Sequence, residues 1–165
     1  PVSVWDVVMM GRYGSMNLLR IPRESDNRAV FHALERVELL GLSRRPIGAL
    51  SGGQRKRTFL ARAIAQRASV LLLDDPFSGV DVRTEKLMSE LFIQFRNEGR
   101  TILISTHDLN HVRDFCDLVV LINKTVLAYG ETSKIFTNEN LSMTFGWMPP
   151  DVLFGPAPSE NLINE

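Results

Sequence analysis

Three short apolar runs, each closed by polar residues and spaced by helix-length amphipathic chain, constrain the fold more than any other feature. They are residues 69–73, 101–105 and 118–122. Runs of this length read as buried strands rather than helices. Between the first two, Asp81 is placed to cap a helix with an apolar face at Leu87, Leu91 and Phe95 and a stop at Gly99. Residues 108–116 read as a further helix. A fourth strand, 126–129, follows a turn at Asn123-Lys124. Strands alternating with helices predict an α/β fold, a mostly parallel or mixed sheet covered by helices.

The first third of the chain reads differently. Residues 4–10 predict a short helix before Gly11, then loop at 12–14 and 21–23. Ser25 or Asp26 is expected to cap a second helix carrying Val30, Leu34 and Val37, with Gly41 as its stop. A third helix begins after Ser51, with Phe59, Leu60, Ala63 and Ile64 as its buried face. The proline-rich tail, 149–165, is expected to be a loose extension.

Composition narrows the function classes. The chain has 165 residues, 44% apolar and 23% charged, with 19 acidic and 19 basic side chains. That balance offers no basic face for nucleic acid. No apolar run approaches the roughly 20 residues that span a bilayer, so a membrane role has to pass through a partner. The start shows no secretory signal. Cys116 is the single cysteine, which excludes an internal disulfide and suits a reducing compartment; its position predicts a buried thiol. His32, His107 and His111 form no ligand cluster with it.

Four elements carry chemistry. Leu50-Ser51-Gly52-Gly53-Gln54 puts two glycines and a capping serine at a helix start, where free N–H groups attract anions. Residues 70–75 end an apolar strand in Asp74 and Asp75, at the sheet edge where α/β folds bind ligands. Asp74 suits Mg²⁺, and Asp75 suits orienting or deprotonating an attacking water. Ser78-Gly79-Val80-Asp81 turns into the next helix, with Asp81 serving at least as its cap. Ser105-Thr106-His107-Asp108 again follows a strand, and His107 is placed to contact a phosphate oxygen. Each element alone has a bland reading as a turn, a cap or a solvated acid. Their order and spacing together do not.

This constellation resembles the ATP-binding subunit of ABC transporters. Residues 50–54 are similar to the signature motif, 70–75 to a Walker B strand, 78–81 to the D-loop, and His107 to the switch histidine. The resemblance implies a partial P-loop NTPase domain over residues 1–148. Its helical signature subdomain covers about 1–67 and its Walker B and H-loop core about 68–148, with 149–165 as tail. It implies ATP and Mg²⁺ as cofactors, with Asp74 on the Mg²⁺ and Asp75 and His107 catalytic. It also implies a head-to-tail dimer in which Ser51, Gly52, Gly53, Gln54 and Asp81 close over ATP held by the partner. Residues 7–14, 76–85 and 126–130 further resemble importers of manganese, iron or zinc. That implies permease subunits in the membrane, indirectly a solute-binding protein, and a peripheral place on the cytoplasmic face of the inner membrane. A non-transport ABC ATPase and an inactive remnant are the alternative readings.

Two departures carry expectations. No Gly-x-x-x-x-Gly-Lys-Ser/Thr loop occurs in the chain. The chain is therefore read as a fragment that starts after that loop. On this reading it binds ATP weakly alone and leaves strand faces uncovered. Asp75 stands where the family usually has glutamate, one methylene longer. That predicts slow hydrolysis or a compensating backbone.

Overall fold

The structure, a computed structural model, describes residues 1–109 and 112–146. The chain divides into two compact units, Pro1–Thr106 and His107–Glu165.

The first unit opens with helix α1 (Val4–Met9), capped reciprocally by Ser3 and Asp6. The Ser3 hydroxyl accepts the Asp6 N–H, and the Asp6 carboxylate accepts the Ser3 N–H at 2.9 Å. Val4, Val7, Val8 and Met9 are buried. A 3₁₀ segment, Met10–Ser15, continues the chain.

Helix α2 (Glu24–Arg36) departs from expectation at both ends. Asp26 does not cap it from outside. It is the third helical residue and reaches back to accept the Arg23 N–H at 3.0 Å. The helix stops at Arg36 rather than running to Gly41, because Glu38 turns the backbone left-handed at φ 56°.

Helix α3 (Gly52–Gln66) packs on α1 and α2. Leu60, Ala61, Ile64 and Ala65 are buried. Phe59, expected inside, is 48% exposed. It lies beside the buried stripe, with Ala63 and Gln66, and lines a groove of about 360 Å³ reaching to Leu72, Asp74 and Pro76. The 3₁₀ segment sits so close to α3 that a Cβ at Gly11 would lie 2.3 Å from the Arg62 carbonyl oxygen. Arg12 bridges the same junction. Its guanidinium donates to Asp26 at 3.0 Å and to the Ala65 carbonyl at 2.8 Å.

Strands β1 (Val70–Asp74) and β2 (Thr101–Ser105) are parallel, in register from Val70 opposite Thr101 to Asp74 opposite Ser105. Helix α4 (Val82–Asn97) connects them. Its end is closed at Gly99, φ 78°, where the Gly99 N–H meets the Arg96 carbonyl and the Arg100 N–H meets the Phe95 carbonyl. Met88, Leu91, Phe92 and Phe95 are buried, while the expected Leu87 is half-buried. The strands alternate. Leu71 is buried and Leu73, Ile102 and Ile104 are half-buried, whereas Val70, Leu72 and Leu103 are exposed. The sheet thus shows an apolar face to solvent, as expected of uncovered strands.

In the second unit, β3 (Leu118–Asn123) and β4 (Thr125–Glu131) form an antiparallel hairpin about Lys124, φ 61°. The described strands are therefore two separate pairs, one parallel and one antiparallel. Three short helices flank the hairpin: α5 (Val112–Phe115), α6 (Thr132–Ile135) and α7 (Asn138–Phe145). The first is shorter than expected, since residues 108 and 109 are not helical; His111 lies outside the described residues. Val112, Val119, Leu121, Phe136 and Leu141 form the core, with Cys116 packed half-buried at its side. The expected loose tail, 149–165, also lies outside the described residues. Among the described residues, no helix is long and apolar enough to cross a membrane.

Candidate functional site

The first unit collects most of the candidate residues around the starts of two helices. Ser51 caps α3: its hydroxyl accepts the Gln54 N–H at 3.2 Å, and the Gln54 side chain accepts the Ser51 N–H at 3.1 Å. The first intrahelical bond runs from the Arg55 N–H to the Ser51 carbonyl. The N–H groups of Gly52 and Gly53 precede it and by position have no acceptor within the helix. Ser51 and Gly52 are exposed, while Gly53 is buried behind them. That donor set fits an anion such as a phosphate.

Asp81 begins α4 in the same way. Its carboxylate accepts the Thr84 N–H at 2.9 Å and the Thr84 hydroxyl at 2.8 Å. These two bonds hold its pKa below the ordinary aspartate value against a smaller opposing effect of burial. The two helix starts meet. A Cβ at Gly53 would lie 3.5 Å from the Asp81 carboxylate, and one at Gly52 would lie 3.8 Å from the Gly79 carbonyl. These are ordinary van der Waals distances, so the two starts lie side by side without a forced approach.

The carboxylates at the strand end differ. Asp74 is exposed, and the Ser105 hydroxyl on β2 donates to its Oδ1. Exposed carboxylate oxygens at a strand end suit a hard cation such as Mg²⁺. Asp75 is half-buried with its backbone left-handed, φ 44°. Its N–H donates to the Ser105 carbonyl at 2.8 Å. Its own carbonyl accepts the Lys56 amine at 2.9 Å and the Ser78 N–H at 3.3 Å.

Ser51, Gly52, Gly53, Gln54, Asp74, Asp75 and Asp81 therefore all lie in the first unit, while His107 opens the second and is exposed. Lys56 and Ser105 are the contacts that sequence reading did not assign. Ser105 was legible in principle, because the strand-end register puts it opposite Asp74. For Lys56 no spacing rule points to the turn it reaches.

The ABC transporter profile matches residues 4–78. The manganese transport system ATP-binding protein MntA of Synechocystis sp. is 60% identical over 149 residues, covering 90% of this chain and 57% of that protein. This chain is therefore similar to ABC transporter ATP-binding proteins over about half of their length. The chelated iron transport system membrane protein YfeB of Yersinia pestis is 59% identical over 146 residues, 88% of this chain and 49% of that protein. Among solved structures, an inward-facing metal-chelate type ABC transporter matches at TM-score 0.81 and 35% identity, over 87% of this chain and 57% of that one. The chain thus spans about half the length of the ABC relatives it matches. Its fold is that of part of an ABC ATPase, a P-loop NTPase domain, mixed helix and sheet.

Proposed function

We infer that this chain serves in an ATP-binding and ATP-hydrolysing subunit of an ABC importer for a divalent metal ion, manganese or iron first. The observation that carries this is a serine-capped, glycine-led helix start and the Asp74-Asp75 strand end held in a single compact unit, with Lys56 of that helix bonded to the Asp75 carbonyl. The identity to manganese and iron transport proteins supports the choice of cargo.

In this reading, Ser51 and the N–H groups of Gly52 and Gly53 receive the γ-phosphate of ATP held by a partner subunit. They favour the charge that builds there. Asp74 holds Mg²⁺, which when bound neutralises phosphate charge. Asp75 orients the attacking water and accepts its proton. Its left-handed backbone, fastened to Ser105 and Lys56, sets where the short carboxylate projects. Gln54 braces the signature turn and Asp81 fixes the start of α4 beside it. His107 carries its phosphate-contact role by motif position alone. Residues 1–67 form the helical subdomain. Exposed Met10 and Tyr13, on the 3₁₀ segment beside α3, face membrane permease subunits, which a solute-binding protein serves from the other side. The subunit is then peripheral to the cytoplasmic face of the inner membrane.

The test is ATP-driven manganese uptake by the complete transporter reconstituted in vesicles. Asp74→Asn should abolish both ATP turnover and uptake. Tyr13→Asp should abolish uptake while leaving ATP turnover within about twofold. Uptake that persists in Asp74→Asn at wild-type rate would overturn the reading.

A further inference from the structure

Lys56 joins the two halves of the first unit's candidate site. It stands on the second turn of α3, one turn beyond Gly52, and is half-buried. Its amine donates to two backbone carbonyls, those of Asp75 and Ser78. Those carbonyls bracket the turn that carries Asp75 at φ 44° and leads toward Gly79 and Asp81. The hydrogen bonds inside the turn are long, Ser78 N–H to Asp75 carbonyl at 3.3 Å and Val80 N–H to Phe77 carbonyl at 3.4 Å, and the Asp75 N–H is anchored separately to the Ser105 carbonyl at 2.8 Å. A charged donor bonds a carbonyl roughly twice as strongly as a neutral one. The groove along its stem is lined by Phe59, Leu60, Leu72 and Pro76.

We propose that Lys56 is a positioning residue that fastens the Asp75–Ser78 turn to the signature helix, so that displacement of α3 is passed to the proposed base. Lys56 touches the turn and not the reacting atoms. Its removal therefore acts on the placement of Asp75 rather than on nucleotide affinity. The proposal rests on the ATPase reading for its kinetic consequence and on geometry alone for the tie itself.

The experiment compares Lys56→Met, which keeps the stem and loses the donor, with Lys56→Arg, which keeps a donor able to reach two carbonyls. In the complete transporter, Lys56→Met should lower kcat by about 10- to 100-fold, as expected for roughly 1 Å of misplacement. KM for MgATP should stay within twofold, and Lys56→Arg should recover most of the turnover. An unchanged kcat per folded protein, or a loss carried by KM, overturns the proposal. Amide hydrogen exchange of Ser78 and Val80 reads the tie without any turnover. Faster exchange in Lys56→Met at unchanged exchange in α1 supports it, and unchanged exchange overturns it. A wild-type transporter that hydrolyses no ATP would sink the ATPase reading while the exchange result still decides the tie.

Discussion

Gly11→Ala is the substitution whose cost the structure fixes most directly. The added methyl carbon would sit 2.3 Å from the Arg62 carbonyl oxygen and 3.3 Å from the Arg62 carbonyl carbon. The obstacle is backbone held inside α3, so no side-chain rotation relieves it. Reaching ordinary contact requires the 3₁₀ segment to retreat by about 1 Å. Overpacking of this kind costs about 1–3 kcal/mol, less about 0.4–1 kcal/mol regained from the stiffer unfolded chain. With a urea slope of about 2 kcal/mol/M, the denaturation midpoint should fall by up to about 1.3 M. Gly14→Ala is the internal control. It lies in the same segment, yet a Cβ there meets nothing within 4 Å. Its midpoint should hold or rise slightly. The retreat also pulls Arg12 away from Asp26 and Ala65, so α2 should gain amide exchange in Gly11→Ala only. Equal midpoints for the two variants would refute the claim that close backbone approach, rather than turn propensity, selects glycine at position 11.

Three further outcomes are expected. Ser51→Ala removes the acceptor for the Gln54 N–H and should cost about 1 kcal/mol in urea denaturation, with Ser51→Asn restoring most of it. Stability should fall in acid. Asp6 is held below its ordinary pKa by the Ser3 hydroxyl and N–H, Asp26 by the Arg23 N–H and then Arg12, and Asp81 by the Thr84 N–H and hydroxyl. A depressed folded pKa gives stability that is complete above the ordinary carboxylate value and lost as pH drops through the lower one. The loss should therefore begin below about pH 4 and be smaller in Asp26→Asn, measured as urea midpoints from pH 7 to pH 3. Asp75→Glu in the complete transporter should give no gain in ATP turnover, because aspartate tolerates the left-handed backbone at φ 44° better than a longer side chain does. A tenfold rise would show that reach, not backbone, limits that position.

Much of the site was legible in the sequence because it is local. Ser51 and Asp81 cap helices three residues away, and a capping oxygen followed by an amphipathic run is visible without coordinates. Gly99 ends α4 for the same reason. The strand pair followed from two apolar runs spaced by one helix. What failed depended on partners distant in sequence. Phe59 matched the helical period but faces the groove, since α1 and α2 claim the adjacent stripe of α3. Asp26 was read as a cap because its neighbours suggested one; Arg12 and the Arg23 N–H make it an internal brace instead. The stop at Arg36 depended on a left-handed Glu38, a conformation that its residue type does not advertise. Lys56 reaches a turn in the next structural layer, and only coordinates reveal the end point of a long side chain.

The hydroxyl of Ser105 engages one oxygen of Asp74, so the neighbouring strand sets how that carboxylate is turned at the strand end. Each carboxylate oxygen has two lone pairs, so Oδ1 can accept this hydrogen bond and still leave both oxygens able to meet a cation. A serine on the neighbouring strand thus orients the acid to which the proposed function gives Mg²⁺, without needing to touch the ion.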